Sequence, residues 1–184
     1  MQTNIARRTM TAEAFEQYAS LPENRDRRLE LIEGEVIEVV SDFDASEIAA
    51  GILAAIHAFV RTHKLGRVTG SDGGYIVGDD HFIPDVGFIS NSRFRKGASR
   101  AWCPVAPDLA VEVLSPGNSP YEIRMKVASY LYAGAVVWVV DPEIKRVEVY
   151  APGKPPFTAG VQETLNGGDV LPGFTLAVND IFPE

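Results

Sequence analysis

Apolar and polar residues alternate in period two through RLELIEGEVIEVV (28–40), on either side of Glu33-Gly34, which predicts a β-hairpin. Leu29 and Leu31 then share one face of the first strand, and Glu30 and Ile32 the other. The period lengthens in DASEIAAGILAAIHAFVRTH (44–63), where Ile48, Ile52, Leu53, Ile56, Phe59 and Val60 recur at helical spacing behind Asp44 or Ser46 as cap. A shorter helix from Ala12 to about Ala19 is expected behind Thr11. Short strands are expected at Arg67–Thr69, Tyr75–Val77, Val86–Ile89 and Leu109–Leu114, the last two central. In SPYEIRMKVASYLYAG (119–134), Ser119 and Glu122 form a capping box, Pro120 takes the first helical position and Gly134 ends the helix. The apolar run AVVWVVD (135–141) reads as a buried strand, paired with RVEVYAP across the Asp141–Lys145 turn. Strand, helix and strand in succession imply a right-handed crossover between parallel neighbours. The tail from Val161 to Phe182 reads as further short strands and a final turn.

Two strands carry an acid where the pattern calls for an apolar residue: Asp85 in IPDVGFIS (83–90) and Glu112 in DLAVEVLSP (108–116). An isolated buried carboxylate is too costly to leave ionised, so each needs a partner or a cation. Alternation puts Asp85 on the face of Gly87 and Ile89, and Glu112 on that of Ala110 and Leu114, so neighbouring strands would aim both acids at one volume. Lys126 follows on the capped helix, at the margin of the Ile123, Val127 and Leu131 stripe, with a stem long enough to reach the strand ends. Two carboxylates and an amine suit phosphodiester hydrolysis with Mg²⁺ or Mn²⁺. The structural alternatives are a Pro-Asp turn at Asp85, a buried ion pair of Glu112 with Arg124 or Lys126, and a surface pair of Lys126 with Glu122. Tyr130, four residues past Lys126, reads as core or rim, with lining of the same site as the alternative, and Trp138 reads as packing.

Composition narrows the picture. The 184 residues, 46% hydrophobic and 23% charged, suit one globular domain over 1–184, with 1–10 expected to be flexible. No leader pattern or membrane span is evident, so a cytoplasmic protein is expected. One cysteine excludes a cysteine zinc site within the chain, and His57, His63 and His81 are too scattered to suggest a histidine site. The net charge of −8 argues against a general cationic field for nucleic acid, so contact with DNA would be local. The candidate is SRFRKGASR (92–100), with Arg93, Arg95, Lys96 and Arg100; the alternative is a solvated loop.

Pro84-Asp85, then Glu112, then a lysine resembles the PD-(D/E)xK nuclease superfamily. LELIEGEVIEV, IPDVGFIS, PDLAVEVLSP, KVASYLYAGAVVWVVDP and VEVY, in that order, resemble a large bacterial family labelled putative restriction endonucleases, over nearly the whole chain from Thr11. The resemblance implies an α/β, restriction-endonuclease-like mixed sheet flanked by helices, with an N-terminal helix and hairpin. It implies Asp85 and Glu112 as metal ligands, joined by the Val113 carbonyl, with Mg²⁺ or Mn²⁺ and no small-molecule cofactor. Residue 114, where the superfamily places its lysine, is Leu here, and the lysine of this family stands on the following helix, at Lys126. Glu30 corresponds to a further acid of the site, while Glu35 is expected to be exposed in the hairpin. Family members often carry a histidine near the start of the second helix; here Ser46 or Glu47 stands in that region. Two functions follow: an Mg²⁺-dependent DNA endonuclease, expected as a homodimer because cutting both strands takes two sites, or a catalytically silent nuclease-fold binding module.

Overall fold

The structure is a computed structural model that describes residues 9–40, 42–94 and 101–183. Most of the segment expected to be flexible, 1–8, and three of the four proposed DNA-contacting cations, Arg95, Lys96 and Arg100, lie outside the described residues.

Helix α1 (Ala12–Ala19) starts where the Thr11 hydroxyl accepts from the Ala14 N–H. A 3-10 turn leads into the hairpin β1 (Leu29–Ile32) and β2 (Glu35–Glu38), whose reversal needs positive φ at both Glu33 (49°) and Gly34 (80°). The alternation within β1 is as expected: Leu29 and Leu31 pack on Phe15 of α1, while Ile32 joins the core on the other side. Helix α2 (Phe43–His63) is capped by Asp42, which accepts from the Ala45 N–H. Neither Asp44 nor Ser46 is the cap, because both already lie inside the first turns. At 21 residues α2 is apolar enough, by length and composition alone, to cross a membrane, contrary to the expectation from hydropathy. Its Ile48, Ile52, Ile56 and Val60 are instead buried against the sheet, as in a core helix.

Strands β3 (Gly66–Thr69), β4 (Gly74–Val77), β5 (Asp80–Phe82), β6 (Val86–Ser90), β7 (Trp102–Cys103) and β8 (Leu109–Val113) follow, then α3 (Pro120–Tyr132), β9 (Val136–Asp141), β10 (Arg146–Tyr150), β11 (Phe157–Gly160), β12 (Thr164–Asn166) and β13 (Thr175–Ala177). β5 and β7 have no counterpart in the periodicity; they are three and two residues long, and β5 opens on turn-forming Asp79-Asp80. A six-stranded sheet runs β11-β10-β9-β8-β6-β3, a five-stranded sheet runs β2-β1-β5-β4-β7, and β12 pairs with β13. The expected crossover is present: β8 and β9 are parallel, joined by α3, whose capping box uses Ser119 and Glu122. Gly134 ends α3 at φ 84°.

α2 and the C-terminal segment cover one face of the six-stranded sheet, through Phe88, Val111, Trp138 and Phe174. α3 and the five-stranded sheet cover the other, through Ile89, Ala110, Val137 and Tyr130. Only Ile83, Pro84 and Asp85 separate β5 of one sheet from β6 of the other. The chain therefore turns a corner between sheets at Asp85, and Pro84 suits that corner because it fixes φ and has no N–H to satisfy.

Candidate active site

Val86 pairs with Val111 in the antiparallel β6–β8 ladder, and carrying that register one residue outward sets Asp85 opposite Glu112. The two acids line one cavity of about 310 Å³, together with Glu30, Val113 and Lys126. Glu30 arrives from the other sheet, held by the Ile83 N–H, which donates to its Oε1. The corner that creates Asp85 therefore also fixes Glu30.

Lys126 connects the acids. Its Nζ lies 2.7 Å from Glu112 Oε2 and 3.0 and 3.2 Å from the two Glu30 oxygens. Glu30, Glu112 and Lys126 are each no more than 5% exposed. Lys126 thus faces the core and not the margin of the apolar stripe, and the alternative of a surface pair with Glu122 is not what forms: Glu122 is engaged at the Ser119 N–H. Asp85 accepts from the Val113 N–H at 2.7 Å. Tyr130, one turn beyond Lys126, donates from its hydroxyl to Glu112 Oε1 at 3.1 Å and is fully buried. It belongs to the site and not merely to core or rim; the legible signal was its i,i+4 spacing from Lys126. Phenylalanine at 130 would leave that Glu112 oxygen without its donor. Tyr130→Phe is expected to cost about 1–3 kcal/mol in urea unfolding.

With every group ionised, three carboxylates and one ammonium sum to −2 in a buried volume. Burial pushes Glu112 up to about 8; Lys126 opposes that rise, and Glu30 and Asp85 add to it. Burial also raises Asp85, against the Val113 N–H bond and Lys126. Burial alone would lower Lys126, but Glu112 and Glu30 together outweigh it, so the ammonium stays charged. Tyr130 is raised well above its ordinary value, chiefly by burial and then by Glu112, and remains a neutral donor. One lysine cannot compensate three acids, so the metal-free site favours the protonated form of Glu112.

This has a measurable consequence. Unfolded, Glu112 titrates near 4.5, whereas folded it holds its proton up to about 8, so the native state binds more protons between these values. The stability this proton confers is complete below about pH 4.5 and lost as pH rises through about 8. Without divalent metal, the melting temperature is expected to fall from pH 5 to 8, and less steeply in Glu112→Gln. Parallel melting curves for the two proteins across that range would refute this.

The donor set suits a hard divalent cation. Asp85, Glu112 and the Val113 carbonyl are oxygen donors, and the −2 balance is what such an ion would neutralise. Among the described residues no group of three or more His, Cys, Asp or Glu side chains is disposed to enclose a metal. Mg²⁺ needs no such group, since it keeps several waters and takes one or two carboxylates.

Other expected site residues lie elsewhere. Arg93 sits at the opposite ends of β6 and β8, bonded to Asp108 at 3.4 Å and to the Pro107 carbonyl, so it does not reach the acids. Glu35 is exposed, as expected. Glu47 is exposed and does not line the cavity, whereas Ser46 lines a neighbouring groove that Asp85 also borders.

Comparison with known proteins adds the lineage. No curated protein matches the sequence. A solved structure described as a putative nuclease belonging to DUF820, from Anabaena variabilis ATCC 29413, superposes with a TM-score of 0.83. It is 23% identical, with 94% of this chain and 97% of that chain covered, a likeness that bears on the fold. The model of the Uma2 family, described as "Putative restriction endonuclease", matches residues 15–179, and the chain therefore belongs to that family.

Proposed function

We propose that this protein is an endonuclease that hydrolyses DNA phosphodiester bonds with Mg²⁺ or Mn²⁺. The observation that carries this reading is the placement of Asp85 opposite Glu112 in one cavity, with the Lys126 ammonium between two acids. Asp85, Glu112 and the Val113 carbonyl would hold the cation, which when bound supplies charge neutralisation at the phosphate and a more acidic water. Lys126 would donate to a phosphate oxygen or orient that water in place of one of its bonds to Glu30 or Glu112. Glu30 holds the lysine in place, and Tyr130 fixes the rotamer of Glu112. Cleavage of both strands would use two chains, each bringing one site.

A second reading has one observation in its favour: Lys126 is already satisfied by Glu30 and Glu112, as in a purely structural buried network. The protein would then bind nucleic acid or a protein partner without cutting.

Purified protein incubated with plasmid and short DNA, in Mg²⁺, Mn²⁺ or chelator, separates the two. Metal-dependent cutting supports the nuclease. Calorimetric Mn²⁺ binding that vanishes in Glu112→Gln supports the ligand assignment. No cutting on any DNA, together with no metal binding, leaves the silent module.

A further inference from the structure

Asp85 is a wall of two depressions. Besides the acidic cavity it borders a groove of about 740 Å³ between the first half of α2, at Ser46, and the β3–β4 turn, at Ser71 and Gly73. Arg28 lines that groove. Its carbonyl accepts from the Val39 N–H, so the hairpin ladder extends back to residue 28. By alternation Arg28 then lies on the same face as Glu30, about 7 Å further along the strand.

Two cations line these depressions, Arg28 and Lys126. Lys126 is engaged with Glu30 and Glu112, while Arg28 forms no ion pair among the described residues. Asp42 and Asp72 also line the groove, but Asp42 is turned to the Ala45 N–H as the α2 cap. A phosphodiester bond inside a strand has phosphates on both sides, and a strand whose scissile group sits at Asp85 must continue past it. A half-buried guanidinium beside that acid offers a planar, two-donor fork suited to a phosphate.

We propose that Arg28 and this groove hold the nucleic-acid backbone adjacent to the bond presented to Asp85 and Glu112, with Arg28 on a neighbouring phosphate and the Ser46 and Ser71 hydroxyls able to add hydrogen bonds. The proposal rests on the nuclease reading and names how that site takes its substrate. Because the contact is to backbone, it is independent of base sequence.

The test is fluorescence anisotropy with fluorescein-labelled single-stranded and duplex DNA oligonucleotides in Ca²⁺, for wild type, Arg28→Gln, Arg28→Lys and the remote control Arg124→Gln. Arg28→Gln is expected to weaken binding of both probes about tenfold and to reduce the slope of log affinity against log salt by about one. Arg28→Lys should keep the slope and lose part of the affinity, and Arg124→Gln should match wild type. Mn²⁺ binding by calorimetry should be unchanged in Arg28→Gln, which separates a substrate contact from damage to the acidic cavity. Wild-type affinity and salt slope in Arg28→Gln would overturn the groove while leaving metal-dependent cleavage intact. Conversely, an Arg28-dependent loss of binding in a protein that never cuts would sustain the groove and sink the hydrolase. A wild type that binds neither probe overturns both.

Discussion

Lys126→Met is expected to destabilise the metal-free protein by about 3–5 kcal/mol, the cost of stranding buried charges by removing one partner of a pair. At about 2–4 °C per kcal/mol for a chain of this size, the melting temperature should fall roughly 10 °C. Among the described residues the ammonium is the one cation bonded to Glu30 and Glu112, which are 3% and 5% exposed, so its loss leaves two acids with protons to neutralise them. Protonation is therefore the escape, and the deficit should shrink as pH is lowered. The double variant Lys126→Met/Glu112→Gln should be less destabilised than Lys126→Met alone, because one of the stranded charges is gone. A melting temperature within 2 °C of wild type at pH 8, on the order of the smallest effect one kcal/mol produces, would show that the three groups are not energetically linked.

Asp85→Asn separates catalysis from stability. The Asn side-chain carbonyl can still accept the Val113 N–H bond, and removing one acid from a cluster of three acids around one lysine relieves repulsion with Glu30 and Glu112. Thermal stability without metal should be unchanged or slightly higher. DNA cleavage in Mg²⁺ should fall about 10³-fold, on the scale of losing a group that stabilises developing charge, and Mn²⁺ affinity should fall with it. Equal cleavage by wild type and Asp85→Asn would assign the activity to a contaminant.

The site residues were legible to different depths. Asp85 and Glu112 stand out in sequence because each breaks an apolar strand, and the spacing of IPDVGFIS and PDLAVEVLSP accompanies the family resemblance. Lys126 was legible as a residue, and the sequence left its contacts open between the acids at the strand ends and Glu122. Helical spacing pairs it with Glu122, and only the folded chain commits Glu122 to the Ser119 cap and turns the lysine inward. Tyr130 carried a signal in its i,i+4 spacing from Lys126, but spacing alone does not name its partner, which comes from β8. The α2 cap was misplaced by two or more residues because SDFDAS offers several side chains able to cap, and the extended backbone at Asp42 selects among them.

Local chemistry fixed what depends on neighbours in the chain: the Ser119–Glu122 capping box, the hairpin at Glu33-Gly34, and the face on which each strand residue points. These follow from dihedral preferences and hydrogen bonds spanning a few residues, so no distant partner is needed. The family resemblance names Glu30 as a further acid of the site, but only the tertiary structure brings it to Asp85, Glu112 and Lys126. That meeting requires two sheets to share a corner at Ile83–Asp85 and the lysine to bridge 96 positions of sequence. Strand order and inter-sheet packing are settled by burial of the whole core, and no local pattern encodes them.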